Sequence, residues 1–427
     1  MLHFLYSSLL YLLQPVLWLV LLVSRLKSDK WLKRLGERYG FYPALSAPAP
    51  HGVVIHASSV GEVIAATPLI KQIQQQYPNL ALTISTMTPT GSERVRASFG
   101  DSVSHFYLPF DLPDAVQRFL DFVKPRTIIV IETEIWPNLI HQCKKRSIPF
   151  IIVNARLSAR SARRYGKFAQ SIAQVLNEIT LIAPQDEVSG QRYAELGFPA
   201  EQLKLTGNLK YDLSLKPELI EQVFQFKQSL GERPVWIAAS THDGEDEILL
   251  AAHRQLLAQF SDLLLILVPR HPERFDKVAE LIRQQQFKFV RRSEQRAPDI
   301  SDQVLLGDTM GELMLMYGVA QVAFVGGSLI KRGGHNPLEP LTFKLPVISG
   351  KNVFNFPEVF DKLQQEGGVK FVPAESQGIA QAVQQFLQDA KLSEQFGVAG
   401  FKVLMENRGA LRRVMALLKP YLQQENQ

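Results

Sequence analysis

Ala323-Phe-Val-Gly-Gly-Ser-Leu-Ile-Lys-Arg-Gly-Gly-His-Asn-Pro-Leu-Glu-Pro340 is an apolar run that breaks into glycines and restarts as a helix. Val322, Ala323, Phe324 and Val325 have the pattern of a short buried strand. Gly326 and Gly327 permit backbone angles and a close ligand approach that a Cβ would block. After the basic pair Lys331 and Arg332 and a second glycine pair, Asn336-Pro337-Leu338-Glu339 matches an N-cap, a proline at N1 and an acid at N3. Strand, glycine loop and capped helix start form the arrangement by which α/β proteins hold phosphate on free N–H groups and a positive dipole end. Taken singly, Glu339 as a capping-box partner or a double glycine in a turn needs no ligand. Combined with the basic pair and His335, they point to an anion cradle.

At 427 residues the chain exceeds what one core usually supports, so two domains are expected. A hydrophobic share of 46% and a charged share of 21% are those of a globular protein and argue against disorder. The single cysteine, Cys143, excludes an intramolecular disulfide and a multi-cysteine metal site. A net charge of +6 would suit nucleic acid, but the basic residues are dispersed and lack interleaved aromatics. Anionic small molecules or an anionic membrane surface account for the excess equally well, and no nucleic-acid partner is expected.

Residues 1–24 are apolar and uncharged, about the ~20 residues that cross a bilayer as a helix. Positive charge follows rather than precedes them, at Arg25, Lys27, Lys30, Lys33, Arg34 and Arg38, which argues for an anchor with the remainder on the cytoplasmic side. Gln14-Pro15 interrupts the segment, so a span and an in-plane helix both remain open. Residues 25–50 read as a basic juxtamembrane segment.

From 51 to 212, apolar β-branched runs at Gly52–Ala57, Leu82–Thr86, Thr127–Ile131, Phe150–Val153 and Thr180–Ala183 alternate with amphipathic stretches, the pattern of a parallel sheet with helices on both faces. Residues 213–234 read as a linker. Residues 235–396 repeat the theme with strands at Val235–Ala239, Leu263–Val268, Val304–Leu306, Val322–Val325 and Pro346–Ile348. A helical stretch over 397–427 is expected to pack back toward the first domain. Two doubly wound domains would turn their strand C-termini, and so their ligand loops, toward a common cleft. Neither half contains G-x-G-x-x-G or a P-loop.

The residues at those strand ends carry the chemistry. Glu62 stands where the first strand turns into its helix, either as a base or as a first-turn acid complementing the dipole. The dipole lowers its pKa, so catalysis requires burial or neighbouring carboxylates. Glu132 and Glu134, in Ile131-Glu-Thr-Glu-Ile-Trp-Pro137, share parity along an extended chain and supply such carboxylates, one of them in either a catalytic or a structural role. Arg156 suits a substrate anion or a structural acid equally. Lys210 either neutralises a leaving phosphate or is a solvated charge. In the second half, Pro269, Arg270 and His271 follow an apolar strand and favour an anion contact. Asp308-Thr-Met-Gly-Glu312 opens a helix suited to a nucleotide. The acids in Ser240-Thr-His-Asp-Gly-Glu-Asp-Glu247 read as dipole complements, with His242 a possible contact.

Taken together, His56–Glu62, Glu132–Asn138, Asn154–Ser158, Gly207–Asp212, Val268–Phe275, Gly307–Leu313 and Gly326–Glu339 closely resemble the 3-deoxy-D-manno-octulosonic acid (Kdo) transferases of lipopolysaccharide synthesis. The resemblance spans nearly the whole chain. It implies a GT-B fold of two Rossmann-like domains facing a cleft, CMP-Kdo as donor, a lipid A precursor (lipid IVA) as acceptor, inversion at the anomeric carbon, and attachment to the inner membrane. By the same resemblance Glu62 is the general base, and Glu132 and Lys210 stabilise the transition state. Pro269, Arg270, Met310, Gly311, Glu312, Asn336, Pro337, Leu338 and Glu339 bind CMP. With no D-x-D in a suitable loop, neither metal nor cofactor is expected. A GT-B enzyme using a UDP-sugar and a membrane-tethered nucleotide binder without catalysis are the competing readings.

Overall fold

The computed structural model describes residues 2–27, 33–42, 46–213 and 215–423. They form two compact units, Met1–Asp212 with Arg408–Gln427, and Leu213–Asn407. The first unit holds β1 (Val53–His56), β2 (Leu82–Thr86), β3 (Ser104–Tyr107), β4 (Thr127–Ile131), β5 (Phe150–Ala155) and β6 (Leu181–Pro184). All pair in parallel in the order β3-β2-β1-β4-β5-β6, so the winding reverses between β1 and β4. Val53 and Ile55 enter one core layer and Val54 the other, as a two-residue period requires of a sheet covered on both faces.

The second unit holds β7 (Val235–Thr241), β8 (Leu264–Pro269), β9 (Phe289–Arg291), β10 (Val304–Leu306), β11 (Val322–Val325), β12 (Val347–Ser349) and β13 (Val369–Phe371). These are again all parallel, in the order β13-β12-β11-β7-β8-β10-β9. Trp236 and Ala238 face one core layer, Val235, Ile237 and Ala239 the other. The expected strands are all present with ends moved by one or two residues. The three strands the pattern did not disclose, β3, β9 and β13, are three of the four sheet edges, where incomplete burial leaves a mixed polar sequence; the fourth, β6, is buried along its length and is among the expected strands.

Several segment readings change. The apolar N-terminus is not one helix but two, Leu2–Leu12 and Gln14–Lys27, bent by 45°. Among the described residues no single helix is long and apolar enough to cross a membrane, and only the bent pair together reaches that length. Pro15 has no N–H to continue the ladder at this point. One face of the pair is tied to the first unit: Ser7 Oγ donates to Asn138 Oδ1 (3.0 Å), Tyr11 to Asp114, and Tyr39 to Gln14 Oε1 (2.9 Å). Leu5, Leu9, Leu12, Leu19 and Val23 are exposed.

The basic segment is not a uniformly solvated charge run. Lys30 lies outside the described residues, but Arg38 is 2% exposed, donates to the Met87 carbonyl (2.9 Å) and stacks over Tyr107. Arg34 pairs with buried Glu37, whose carboxylate also accepts from the Tyr107 N–H (2.9 Å). These charges stitch the chain to β3.

The stretch 213–234 is more than a linker, because helix Pro217–Leu230 packs Phe226 and Leu230 into the second core. Buried Arg233 donates to the carbonyls of Asp262, Asp299 and Asp302. The final stretch divides. Helix Ala390–Glu406 belongs to the second unit, and helix Ala410–Leu422 packs Val414, Leu418 and Leu422 into the first. Burial of about 1.5–3 kcal/mol for each large apolar side chain and the charge-assisted hydrogen bonds Asp212 accepts from Gly409 and Leu411 N–H, each of similar size at about 1.5–3 kcal/mol, together hold that helix.

The largest change concerns the glycine loop. The helix expected at Asn336 is the single turn Leu338–Leu341, so it has no macrodipole to offer. The N-cap position is Pro337 rather than Asn336, and Asn336, one residue further out, accepts from the Leu338 N–H (3.1 Å). The N–H groups of the loop already hold an anion from within the chain. The fully buried Glu245 carboxylate accepts from Gly327 (2.7 Å) and His242 (3.0 Å) on one oxygen, and from Ser328 (3.1 Å) and Leu329 (3.0 Å) on the other. The glycines serve this close approach: a Cβ on Gly326 would lie 2.6 Å from the Ser240 carbonyl oxygen, and Gly327 has φ +71°. Glu245→Ala would strand four backbone donors and is expected to destabilise the chain by about 3 kcal/mol or more. Glu245→Gln keeps the shape but turns an amide NH2 toward two of them, so it too should lower the urea midpoint. An unchanged midpoint in both variants would refute the clamp.

Candidate active site

In the first unit the site is built at the winding reversal, on the loops that leave β1 and β4. Ser59 caps helix Val60–Gln76 and Glu62 falls at its third position. The Glu62 carboxylate accepts from the Ser58 N–H (2.8 Å) and the Ser59 hydroxyl (2.9 Å), so the capping role is real. It is not the whole role. Burial, then the charge of Glu134 and that of Glu132, push the Glu62 carboxyl up to about 7 against those hydrogen bonds. The dipole-lowered acid expected of a simple capping residue is thereby reversed.

Glu132 leaves β4 with φ +64°, a sparsely populated conformation for a glutamate. Its carboxylate accepts from Lys210 Nζ at 3.2 Å, both side chains being about a quarter exposed. Lys210 sits in the short turn Leu209–Tyr211. Buried Asn154, also at positive φ, closes that turn onto β5 by accepting from the Leu209 N–H (2.9 Å). Glu62, Glu132 and Lys210 are therefore brought together within one unit although they are distant in sequence. Glu134 joins them, with burial raising its carboxyl above the usual carboxylate range. Its neighbour His56, 4.0 Å away, is pushed down to about 4 by burial, so it stands as a neutral imidazole rather than a counter-ion. Arg156, half-buried, follows the end of β5.

In the second unit the expected nucleotide residues stand on the C-terminal ends of neighbouring strands. Pro269 ends β8, and the Arg270 N–H donates to the Thr241 carbonyl at the end of β7 (3.0 Å). His242 and His335 stack with Nε2 atoms 2.8 Å apart, and His271 meets His242 edge-on. Burial holds both members of the close pair far below the usual imidazole value, His242 at about 4 and His335 at about 3. The partly buried Glu339 carboxyl is raised by burial, while the nearby Arg270 charge opposes the rise. Met310 and Gly311 are exposed after β10, and Arg292 holds Glu312 bidentately (2.7 and 3.1 Å), keeping its carboxyl below the ordinary range. Pro337 and Leu338 are buried.

Among the described residues, no group of three or more His, Cys, Asp or Glu is placed to hold a metal ion. Sequence reasoning missed Glu245 as a loop clamp. Three of its four donors lie 82 to 84 residues away, and no local signal separates it from the acids beside it.

Comparison with known proteins agrees with this layout. Residues 33–213 match the family described as 3-deoxy-D-manno-octulosonic-acid transferase (kdotransferase), and residues 233–403 match glycosyl transferases group 1. A 3-deoxy-D-manno-octulosonic acid transferase from Haemophilus influenzae is 56% identical over 422 residues, covering 99% of each chain. A solved C-terminal CMP-Kdo binding domain of WaaA from Acinetobacter baumannii is 38% identical over 44% of this chain and 99% of its own, with a TM-score of 0.43. A glycosyltransferase structure from Rickettsia africae shares the fold at 12% identity, with a TM-score of 0.54 over 88% of this chain and 100% of that one. Near-full-length identity of this order, on a pair of parallel-sheet units with the GT-B fold, leaves one conclusion: the chain belongs to the Kdo transferase family and is a glycosyltransferase of lipopolysaccharide biosynthesis.

Proposed function

We propose that the enzyme transfers Kdo from CMP-Kdo to a hydroxyl of a lipid A precursor, lipid IVA, with inversion and without a metal or cofactor. The observation that carries this reading is the half-buried Glu62, whose carboxyl is tuned to about 7 beside two further carboxylates. A carboxylate at that value is a base matched to neutral pH. It takes the acceptor hydroxyl proton as the hydroxyl oxygen bonds to the anomeric carbon of Kdo. The bond from that carbon to the CMP phosphate oxygen breaks, and CMP leaves with the electron pair. The Glu132 carboxylate suits the cationic character of the sugar carbon, and Lys210, fixed against it, suits the developing phosphate charge. Arg270, Met310, Gly311, Glu312, Asn336 and Glu339 are the proposed CMP contacts of the second unit. With Glu245 on the glycine loop amides, phosphate recognition falls to Arg270 and its neighbouring side chains rather than to that loop. The exposed apolar face of the two N-terminal helices supports attachment in the plane of the inner membrane, with both units on the cytoplasmic side.

Full-length protein given CMP-Kdo generated in situ, tetraacyl acceptor and chelator is expected to yield a product heavier by whole Kdo units in a mass spectrum. An intact donor and no product, with turnover of a UDP-sugar, would refute the donor assignment. Glu62→Gln should lower kcat by roughly 10²- to 10⁴-fold with KM for the acceptor little changed. The base works ionised, so the rate should fall about tenfold per pH unit below about 7 and level off above it. Glu134→Gln removes a like charge, so it should move that acid limb to lower pH. A limb that stays in place would show that Glu134 does not tune the base.

A further inference from the structure

Resting on the lipid-acceptor reading above, we propose that one acyl chain of the acceptor glycolipid lies in an apolar groove of the first unit. The groove runs between the N-terminal helix Leu2–Leu12 and the short helices Ala159–Gly166 and Ala169–Leu176. Its volume is about 620 Å³, within the range of roughly 300–1,000 Å³ typical of small-molecule sites. Leu5, Leu9, Ile135, Phe168, Ile172 and Val175 make most of its walls. A sugar or nucleotide requires several directed polar partners, and a wall of this composition offers few. A hydrocarbon chain requires none.

Three features select an acyl chain of the acceptor over a general apolar contact. Among the described residues lining the groove Arg164 is the one that is charged, and Arg160 and Arg163 are exposed on the same helix, which matches the anionic head of a phosphorylated glycolipid. Ile135 comes from the loop that carries Glu132 and Glu134, and Pro137 opens the helix that follows it, so the groove wall adjoins in sequence the segment of those carboxylates. Tyr165, another lining residue, is close enough to Glu134 for burial and that charge to raise its phenol, and Glu134 in turn acts on Glu62. A chain seated there holds its head group beside the base. Leu5 (56% exposed), Leu9 (53%) and Phe168 (68%) leave the groove open to the same surface as the apolar helix face, so a chain enters without any part of the fold opening.

Each CH2 withdrawn from water is worth about fourfold in affinity, so blocking the groove must show. The test compares full-length wild type with Ser171→Trp, which fills the groove, and Phe168→Gln, which makes its exposed edge polar without adding charge beside the arginines. The binding probe is a dansylated twelve-carbon fatty acid. The kinetic substrates are the tetraacyl acceptor and its fully deacylated, water-soluble counterpart. The expected result is probe binding to wild type that is weakened in both variants. KM for the tetraacyl acceptor should rise at least about tenfold, while kcat/KM for the deacylated acceptor and KM for the donor stay unchanged. Absence of probe binding to wild type, or equal KM changes for both acceptors, would overturn the groove assignment while leaving Kdo transfer intact. So would weaker binding to acceptor-free vesicles with an unchanged acceptor KM, which would make the groove a membrane contact. Wild type that binds the probe but transfers Kdo to neither acceptor would overturn the acceptor reading itself.

Discussion

Every strand in both sheets pairs in parallel, so every loop that follows a strand leaves its sheet from the same edge. The chemistry depends on that constraint. In the first unit, Glu62 follows β1 and Glu132 follows β4, adjacent strands across the winding reversal, and β5 carries the Asn154 that fixes the Lys210 turn. Three carboxylates placed this close cannot all ionise at their ordinary values. Burial, with the repulsion of Glu134 and Glu132 added, raises the carboxyl of a capping glutamate, Glu62, to about 7.

The second unit handles charge by a different route. The turn after β7 and the glycine loop after β11 would leave backbone N–H groups buried without partners, and Glu245 satisfies four of them at once. Three of the loop's amides, those of Gly327, Ser328 and Leu329, are thereby taken up by an internal acid. The His242–His335 pair beside them is held neutral by burial. A glycine-rich loop after a strand thus serves here to admit an internal carboxylate.

The N-terminal helices show how polar and apolar faces divide. Gln14, Ser7 and Tyr11 are used against the folded unit, which leaves the leucine-rich face outward. Arg34 and Arg38, which a charge count assigns to the lipid surface, instead lie in an aromatic and carboxylate setting beside β3. Net charge along a segment does not say which side chains face outward, because a buried arginine with carbonyl and carboxylate partners reads the same in sequence as a solvated one.

The sequence by itself determined the alternation of strands and helices, the placement of Glu62, Glu132 and Arg270 in the loops after strands, and the family, because hydrophobic period and motif order are properties of neighbouring residues. The edge strands β3, β9 and β13 stayed hidden because they are buried on too little of their surface to impose that period, whereas the edge strand β6, buried along its length, was legible. Tertiary structure alone decided the rest. It joined Lys210 to Glu132 across 78 residues, and by burial and the charge of Glu134 it decided for a raised Glu62 carboxyl over the dipole-lowered one that the sequence left equally open. It set Glu245 against a loop more than 80 residues away, and closed Ile135, Tyr165 and Leu5 around one groove. Each of these is a Coulomb or packing effect that falls off over a few ångströms of space and takes no account of separation along the chain.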